Sequence, residues 1–170
     1  MRHSSFHPLH ILVSLCLLLL FACCEESDNV EGIFSSHNWV FTGFCYTPNW
    51  DSNKSQRLDV SLEGYNKIHQ LTFQSDGSLF VVVEGCKYSG TWSADGVSHA
   101  FTIKDLHTSE GNHDKTSPYA QKFIDELKAA TWYRGDLNYL QLFAPDKHYY
   151  LLFGPAEYLN SKTETNKQQE

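Results

Sequence analysis

A chain of 170 residues with 20 acidic and 13 basic side chains carries a net charge of −7 when its histidines are neutral. That balance, with no stripe of Lys and Arg anywhere, excludes a nucleic-acid binder, because phosphates demand clustered cations. At 41% hydrophobic residues the chain is long enough for one domain with a real core.

Residues 1–24 read as a bacterial lipoprotein leader. Arg2 and neighbouring histidines form a polar start, and residues 11–21 are an apolar run. A bilayer span needs about 20 apolar residues, so this run suits a secretory signal instead. Leu20-Phe21-Ala22-Cys23 has the form of a lipobox, in which a small residue precedes the cysteine that is acylated and becomes the new N-terminus. The expectation is a signal peptide at 1–22 and a lipid on Cys23, with ordinary cleavage near Ala22 as the alternative. Several acyl chains on one cysteine anchor stably, where a single chain binds reversibly. The expected location is the cell envelope, on the outer membrane. Glu25, Glu26 and Asp28 then follow the lipid. They resemble the acidic signal that carries some lipoproteins to the outer face of that membrane, and read equally as a solvated tether. Residues 23–36 as a whole are polar and Ser-rich, and predict a tether.

Residues 39–46 are rich in aromatic and β-branched side chains and predict a strand. Residues 47–64, with Pro48, Asp51, Asn53 and Ser55, predict a long loop. Leu71 and Phe73 alternate with polar partners, Ser75-Asp76-Gly77 turns the chain, and residues 78–84 predict an apolar strand buried on both faces or paired centrally. Residues 88–92 predict another strand, Ala94-Asp95-Gly96 a turn, and residues 99–104 a strand with Phe101 and Ile103 on one face. Residues 105–116 are polar, contain Gly111 and predict a loop. The period then changes. Ser117 suits an N-cap, Pro118 a first helical position, and Tyr119, Phe123 and Leu127 recur every fourth residue beside Ala120 and Ile124. That is one helix ending near Ala130. Strands follow at 131–134, around Leu140 and Leu142, and at 148–153, with a polar, disordered tail at 158–170. The fold class expected is α+β: an antiparallel β-meander or barrel-like sheet with one helix inserted before the C-terminal hairpin.

Cys45 and Cys86 stand at predicted strand ends. In an exported protein they either form a disulfide or remain as two buried thiols. No Cys-x-x-Cys is present, so neither a zinc nor a redox motif is expected.

The order of elements, with Leu71-Thr72-Phe73-Gln74-Ser75-Asp76-Gly77, Gly85-Cys86-Lys87-Tyr88-Ser89-Gly90, the helix residues Phe123 and Leu127, and Gly135-Asp136-Leu137 with Leu140, Leu142, Leu152 and Phe153, resembles the META, or HslJ-like, domain of bacterial envelope proteins. The resemblance covers residues 39–155 and places the domain at 37–157. It implies an exported, often lipidated envelope domain with no shared enzymatic activity, and so supplies no catalytic residues. No Asn follows Cys86, and the family's second cysteine is missing near His113, so the family's usual disulfide cannot form. Only the Cys45–Cys86 pairing remains open.

The remaining chemistry is sparse. His107 and His113 share a predicted loop with Asp105, Glu110 and Asp114, a set that suits divalent metals but reads by default as a solvated loop. No Gly-x-Ser-x-Gly elbow occurs. Asp125 and Glu126 are neighbours on the helix and point to different sides. No metal or other cofactor is expected. Aromatic side chains are the better candidates: Trp39 and Phe41 for the core, and Tyr46, Trp50 and Tyr150 for an exposed binding surface. The function expected is a membrane-tethered, non-enzymatic domain that binds a protein or envelope component. The alternative is a lipocalin-like carrier of a small apolar ligand, which needs an open cavity of roughly 300 Å³ or more.

Overall fold

The computed structural model describes residues 27–52, 54–60, 62, 68–111 and 116–157. The expected leader with Cys23 and the expected tail from residue 158 lie outside them. The architecture is α+β, a mostly antiparallel sheet of nine strands with two helices among the described residues.

The first described element corrects the expected tether. Residues Val30–Ser35 form a helix, α1, capped by the Asn29 side chain, which accepts from the Gly32 N–H at 3.0 Å. Six residues with one buried apolar pair are too short to show helical periodicity in sequence. Burial holds the helix instead: Phe34 is wholly buried, with ring centroids 4.8 Å from Trp92, 5.0 Å from Phe73 and 5.5 Å from Phe101. The Phe34 carbonyl also accepts from the Trp39 indole at 3.0 Å.

Strand β1 (Asn38–Tyr46) is the centre of the sheet, pairing β3 (His69–Phe73) on one edge and β9 (Tyr149–Pro155) on the other. Its register slips between Phe41 and Gly43. A bulge adds one residue and so resets the alternation of faces. Phe41 and Phe44, three apart, therefore both point inward, with their rings 5.0 Å apart. Strand β4 (Ser78–Val83) follows the Asp76 turn, where the carboxylate accepts from the Ser78 N–H at 2.8 Å. Of the two expectations for this strand, central pairing holds, since it lies between β3 and the strand Cys86–Ala94, and burial on both faces fails. Leu79, Val81 and Val83 are buried while Phe80 and Val82 face solvent, because no layer covers the outer side of β4.

Strand β5 (Cys86–Ala94) pairs β6 (Phe101–Glu110), which runs on through residues expected to be a loop. β6 is an edge strand, and polar composition is how edges are kept from pairing with other chains. It also crowds β5: a Cβ on Gly90 would stand 2.8 Å from the Lys104 carbonyl oxygen. Helix α2 (Pro118–Ala129) forms as expected, with Ser117 accepting from the Ala120 N–H and donating its own N–H and O–H to the Glu84 carboxylate at 2.9 and 2.7 Å. Strands β7 (Trp132–Gly135), β8 (Leu140–Phe143) and β9 complete the chain.

The sheet order is β6-β5-β4-β3-β1-β9-β8-β7. Its two edges touch at one bridge, Ala100 to Trp132, flanked by a 2.8 Å bond from the Phe101 N–H to the Thr131 carbonyl. No ladder continues that contact, so the sheet is curled but not closed. Phe34 of α1 and Phe123 of α2 fill its concave side, Phe123 lying 4.8 Å from Phe41 and 6.3 Å from Phe153.

Candidate functional site

Alternation across the three C-terminal strands creates two apolar rows on opposite faces. Phe44, Leu151, Leu142 and Tyr133 lie in register and join the main core. One residue along, Cys45, Tyr150, Phe143 and Trp132 lie in register on the convex face and form a second, small cluster. The segment following β1 folds over that cluster. Thr47 ties the loop by donating to the Asn49 or Lys54 carbonyl at 2.9 and 3.0 Å, and the Tyr150 hydroxyl and Ser55 hydroxyl meet at 2.5 Å.

Trp50 is the lid of this cluster. Its ring lies 4.9 Å from Phe143 and 6.5 Å from Trp132. The Lys147 ammonium sits 3.6 Å over Trp132 and 4.7 Å over Trp50, and Arg134 donates to the Trp50 carbonyl at 2.6 Å. The expected surface of Tyr46, Trp50 and Tyr150 is thus corrected in part. Tyr150 is 3% exposed, because its register with Cys45 turns it under the loop. Its neighbour Tyr149 is the exposed ring, 5.3 Å from a half-buried Tyr46, which also stacks on His148. Trp50 and Tyr150 meet through Phe143, but as packing.

The open disulfide question also resolves against a bond: Cys45 and Cys86 are both free and buried. Cys86 lies opposite Val83, Val83 opposite His69, and Cys45 opposite Arg57 and Tyr150. Several strand spacings of about 4.8 Å separate them, beyond the Cα separation of about 7 Å that a bridge tolerates. Burial raises the Cys45 thiol pKa, against the opposing pull of Tyr150, Arg57 and Ser55.

The His107 group does not converge. His107 turns Nδ1 to the Asp105 carbonyl and Nε2 to Ser89, while Glu110 pairs with Lys87. His113 and Asp114 lie outside the described residues. Among the described residues no three His, Cys, Asp or Glu side chains gather where they could hold a metal.

One concavity is not announced by the sequence. Strand β2 (Gln56–Arg57) pairs with Cys45 and Tyr46, and the Leu58 N–H reaches the Phe44 carbonyl at 2.9 Å. β3 leaves the same edge of β1 at Val40. Among the described residues, positions 41–43 therefore have no strand beside them on that edge. The gap is a groove of about 430 Å³, lined by Phe41, Thr42, Arg57, Leu58, Asp59, Val60 and, from α2, Tyr119. Gly43 makes room for the arginine: a Cβ there would stand 2.6 Å from Arg57 Nε. Burial raises the Tyr119 pKa, with Arg57 opposing, so its hydroxyl stays protonated at neutral pH. A strand of two residues leaves no periodicity to read.

Behind Phe41 lies His69, wholly buried and parallel to the Phe41 ring at 6.0 Å, with Phe123 at 5.0 Å and Tyr119 at 5.7 Å. Neither ring nitrogen makes a hydrogen bond among the described residues. Burial lowers its pKa below the ordinary value of 6.5, opposed by the Ile68 backbone and the Glu84 carboxylate. The signal for it was present in sequence: His69, Leu71 and Phe73 share the period of two that marks one face of a strand.

A family model for a domain of unknown function, DUF4847, matches residues 25–155, and the chain belongs to that family. The crystal structure of a DUF4847 family protein from Bacteroides vulgatus, at 24% identity, superposes with a TM-score of 0.59 over 74% of this chain and 96% of that one. An NMR structure of a protein from Burkholderia xenovorans gives 15% identity and a TM-score of 0.48, covering 72% of this chain and 83% of that one. No curated protein matches the sequence. The META resemblance is corrected by these findings. Its motifs, Asp76-Gly77 and Gly85 to Gly90 above all, are turns and strand starts that any antiparallel meander uses.

Proposed function

We propose that this DUF4847 chain works as a membrane-tethered, non-enzymatic envelope lipoprotein whose domain binds a protein or envelope component at its surface. One observation carries the choice of a surface over an interior. Phe34, Trp39, Phe73, Phe101, Phe123 and Phe153 fill the concave side of the sheet at 2% exposure or less, which leaves a carrier no apolar cavity there among the described residues. Fully burying each such ring contributes about 1.5–3 kcal/mol, so emptying the interior for a ligand would remove much of the domain's stability.

The lipid would supply location. Four residue steps separate Cys23 from Ser27, a reach of at most about 14 Å, so a lipid on Cys23 holds the folded domain against the bilayer. Among the described residues no helix is long and apolar enough to cross a membrane, which is consistent with an anchored rather than a spanning domain. The test is metabolic labelling of the full chain with an alkynyl palmitate, followed by membrane fractionation. The wild type and Cys24→Ser should carry the label into the outer membrane fraction, and Cys23→Ser should not. A mature protein beginning after Ala22 without lipid would end the tether reading. An uncharged apolar small molecule retained one to one in native mass spectrometry would end the surface reading in favour of a carrier.

A further inference from the structure

We propose that the groove beside β1 binds a small monocarboxylic acid with an apolar body, its carboxylate on Arg57 and its body against Phe41, Leu58 and Val60. This rests on the reading of the domain as a surface binder and gives that surface a ligand chemistry.

A volume of about 430 Å³ lies within the range of small-molecule sites, which run from about 300 to 1,000 Å³. The wall is mixed as such sites are, with apolar side chains and a few polar groups converging. Arg57 is the cation among the lining residues. Its guanidinium makes no hydrogen bond or ion pair with any described residue. A guanidinium presents a planar fork that matches a carboxylate in a bidentate pair, which a lysine cannot reproduce. Gly43 leaves open the space over β1 that the fork occupies, since a Cβ there would stand 2.6 Å from its Nε. Tyr119 supplies a protonated phenol to the same wall. Asp59, which has an interaction of its own, adds a negative charge to the rim and so disfavours dianions such as phosphate monoesters.

Two sources share this chemistry: a short fatty acid, and a peptide ending in an apolar residue with its free C-terminus. The experiment is ligand-observed NMR on the full chain in nanodiscs, using octanoate, octanamide and acetyl-Ala-Phe. Thermal melting of each variant checks that it folds. A hydrogen bond to a charged group is stronger than one between neutral groups. Octanoate should therefore bind saturably, with octanamide about tenfold or more weaker, and Arg57→Gln should weaken octanoate to the same degree with its melting unchanged. Arg57→Lys should recover only part of the loss. Binding of octanoate alone would assign a lipid-derived acid, and binding of acetyl-Ala-Phe alone a peptide end. Equal binding of acid and amide, no effect of Arg57→Gln, or no saturable binding of either acid would overturn the proposal. None of these results depends on the lipid at Cys23, and a partner captured on the convex face without acid binding would spare the surface reading while ending this one.

Discussion

His69 should make the domain acid-sensitive, and replacing it should remove that sensitivity. The imidazole is wholly buried among Phe41, Tyr119 and Phe123, and neither nitrogen makes a hydrogen bond among the described residues. Its folded pKa lies below the unfolded value of 6.5, with burial the main cause. The unfolded chain therefore binds a proton that the folded chain refuses. The associated stability is fully present above pH 6.5 and is lost as pH falls below it, toward the folded pKa. Acidification from about pH 7.5 to 5.5 therefore costs stability, by at most about 1.4 kcal/mol, the limit in which the folded imidazole takes up no proton in that interval. His69→Leu keeps most of the volume and removes two unpaired polar atoms whose burial costs about 1–3 kcal/mol. Urea midpoints at the two pH values, for wild type and variant, are the assay. The variant should be the more stable at both, and its lead should grow on acidification. Parallel pH dependence in the two proteins, or a variant less stable at neutral pH, would refute the reasoning by showing that the imidazole is satisfied.

Phe34→Ala should cost about 3–5 kcal/mol, read from denaturant midpoints, because α1 fills the core and is no tether; a loss below about 1 kcal/mol would contradict that. Trp50→Ala should cost about 3 kcal/mol and expose the 47–55 loop to limited proteolysis, since it removes the ring that covers Phe143 and carries Lys147. Cys45 and Cys86 should both alkylate after denaturation without reductant, seen as mass additions, whereas a bridged pair would add nothing. Gly90→Val should destabilise by about 1–3 kcal/mol in thermal melts, because its Cβ meets the Lys104 carbonyl rather than a side chain that can move.

The parts of the fold that were legible in sequence are those where one physical signal dominates. Ser117, Pro118 and the stripe of Tyr119, Phe123 and Leu127 define α2 because cap, proline and period agree. Asp76-Gly77 and Asp146 define turns because their side chains close them locally, as the Asp146 carboxylate does on the His148 N–H at 2.9 Å. What was illegible depends on partners distant in sequence. Whether residues 105–110 are loop or strand is settled by β5, with which Thr108 and His107 pair. Tyr149 and Tyr150 look alike in sequence. Which of them is buried follows from a register with Cys45 and Tyr46, about a hundred positions earlier. The Phe41–Gly43 bulge then reverses parity within β1, and no alternation pattern survives an extra residue. The groove was invisible for the same reason, since it is defined by where β3 leaves β1 and β2 joins it.

These features also decide where contact chemistry can reside. The concave side is occupied by Phe34 and Phe123, and the convex side of the last three strands is covered by Trp50 and its loop. The convex side of β4 exposes Phe80 and Val82, two apolar side chains two positions apart among polar neighbours such as Thr72, Ser89 and Lys87. Single exposed apolar residues are ordinary on protein surfaces, and only larger contiguous patches mark docking sites. Exposed Tyr149 and half-buried Tyr46 pair at a strand end, where Tyr46 is already stacked on His148. The groove differs from all of these in being concave, lined by both apolar and polar side chains, and furnished with a guanidinium that no described residue bonds. An acidic chain repels anions at long range, so selectivity for one must come from contact at short range. Arg57 over Gly43 provides that contact, and a partner search directed at this domain should begin with Arg57→Gln as its control.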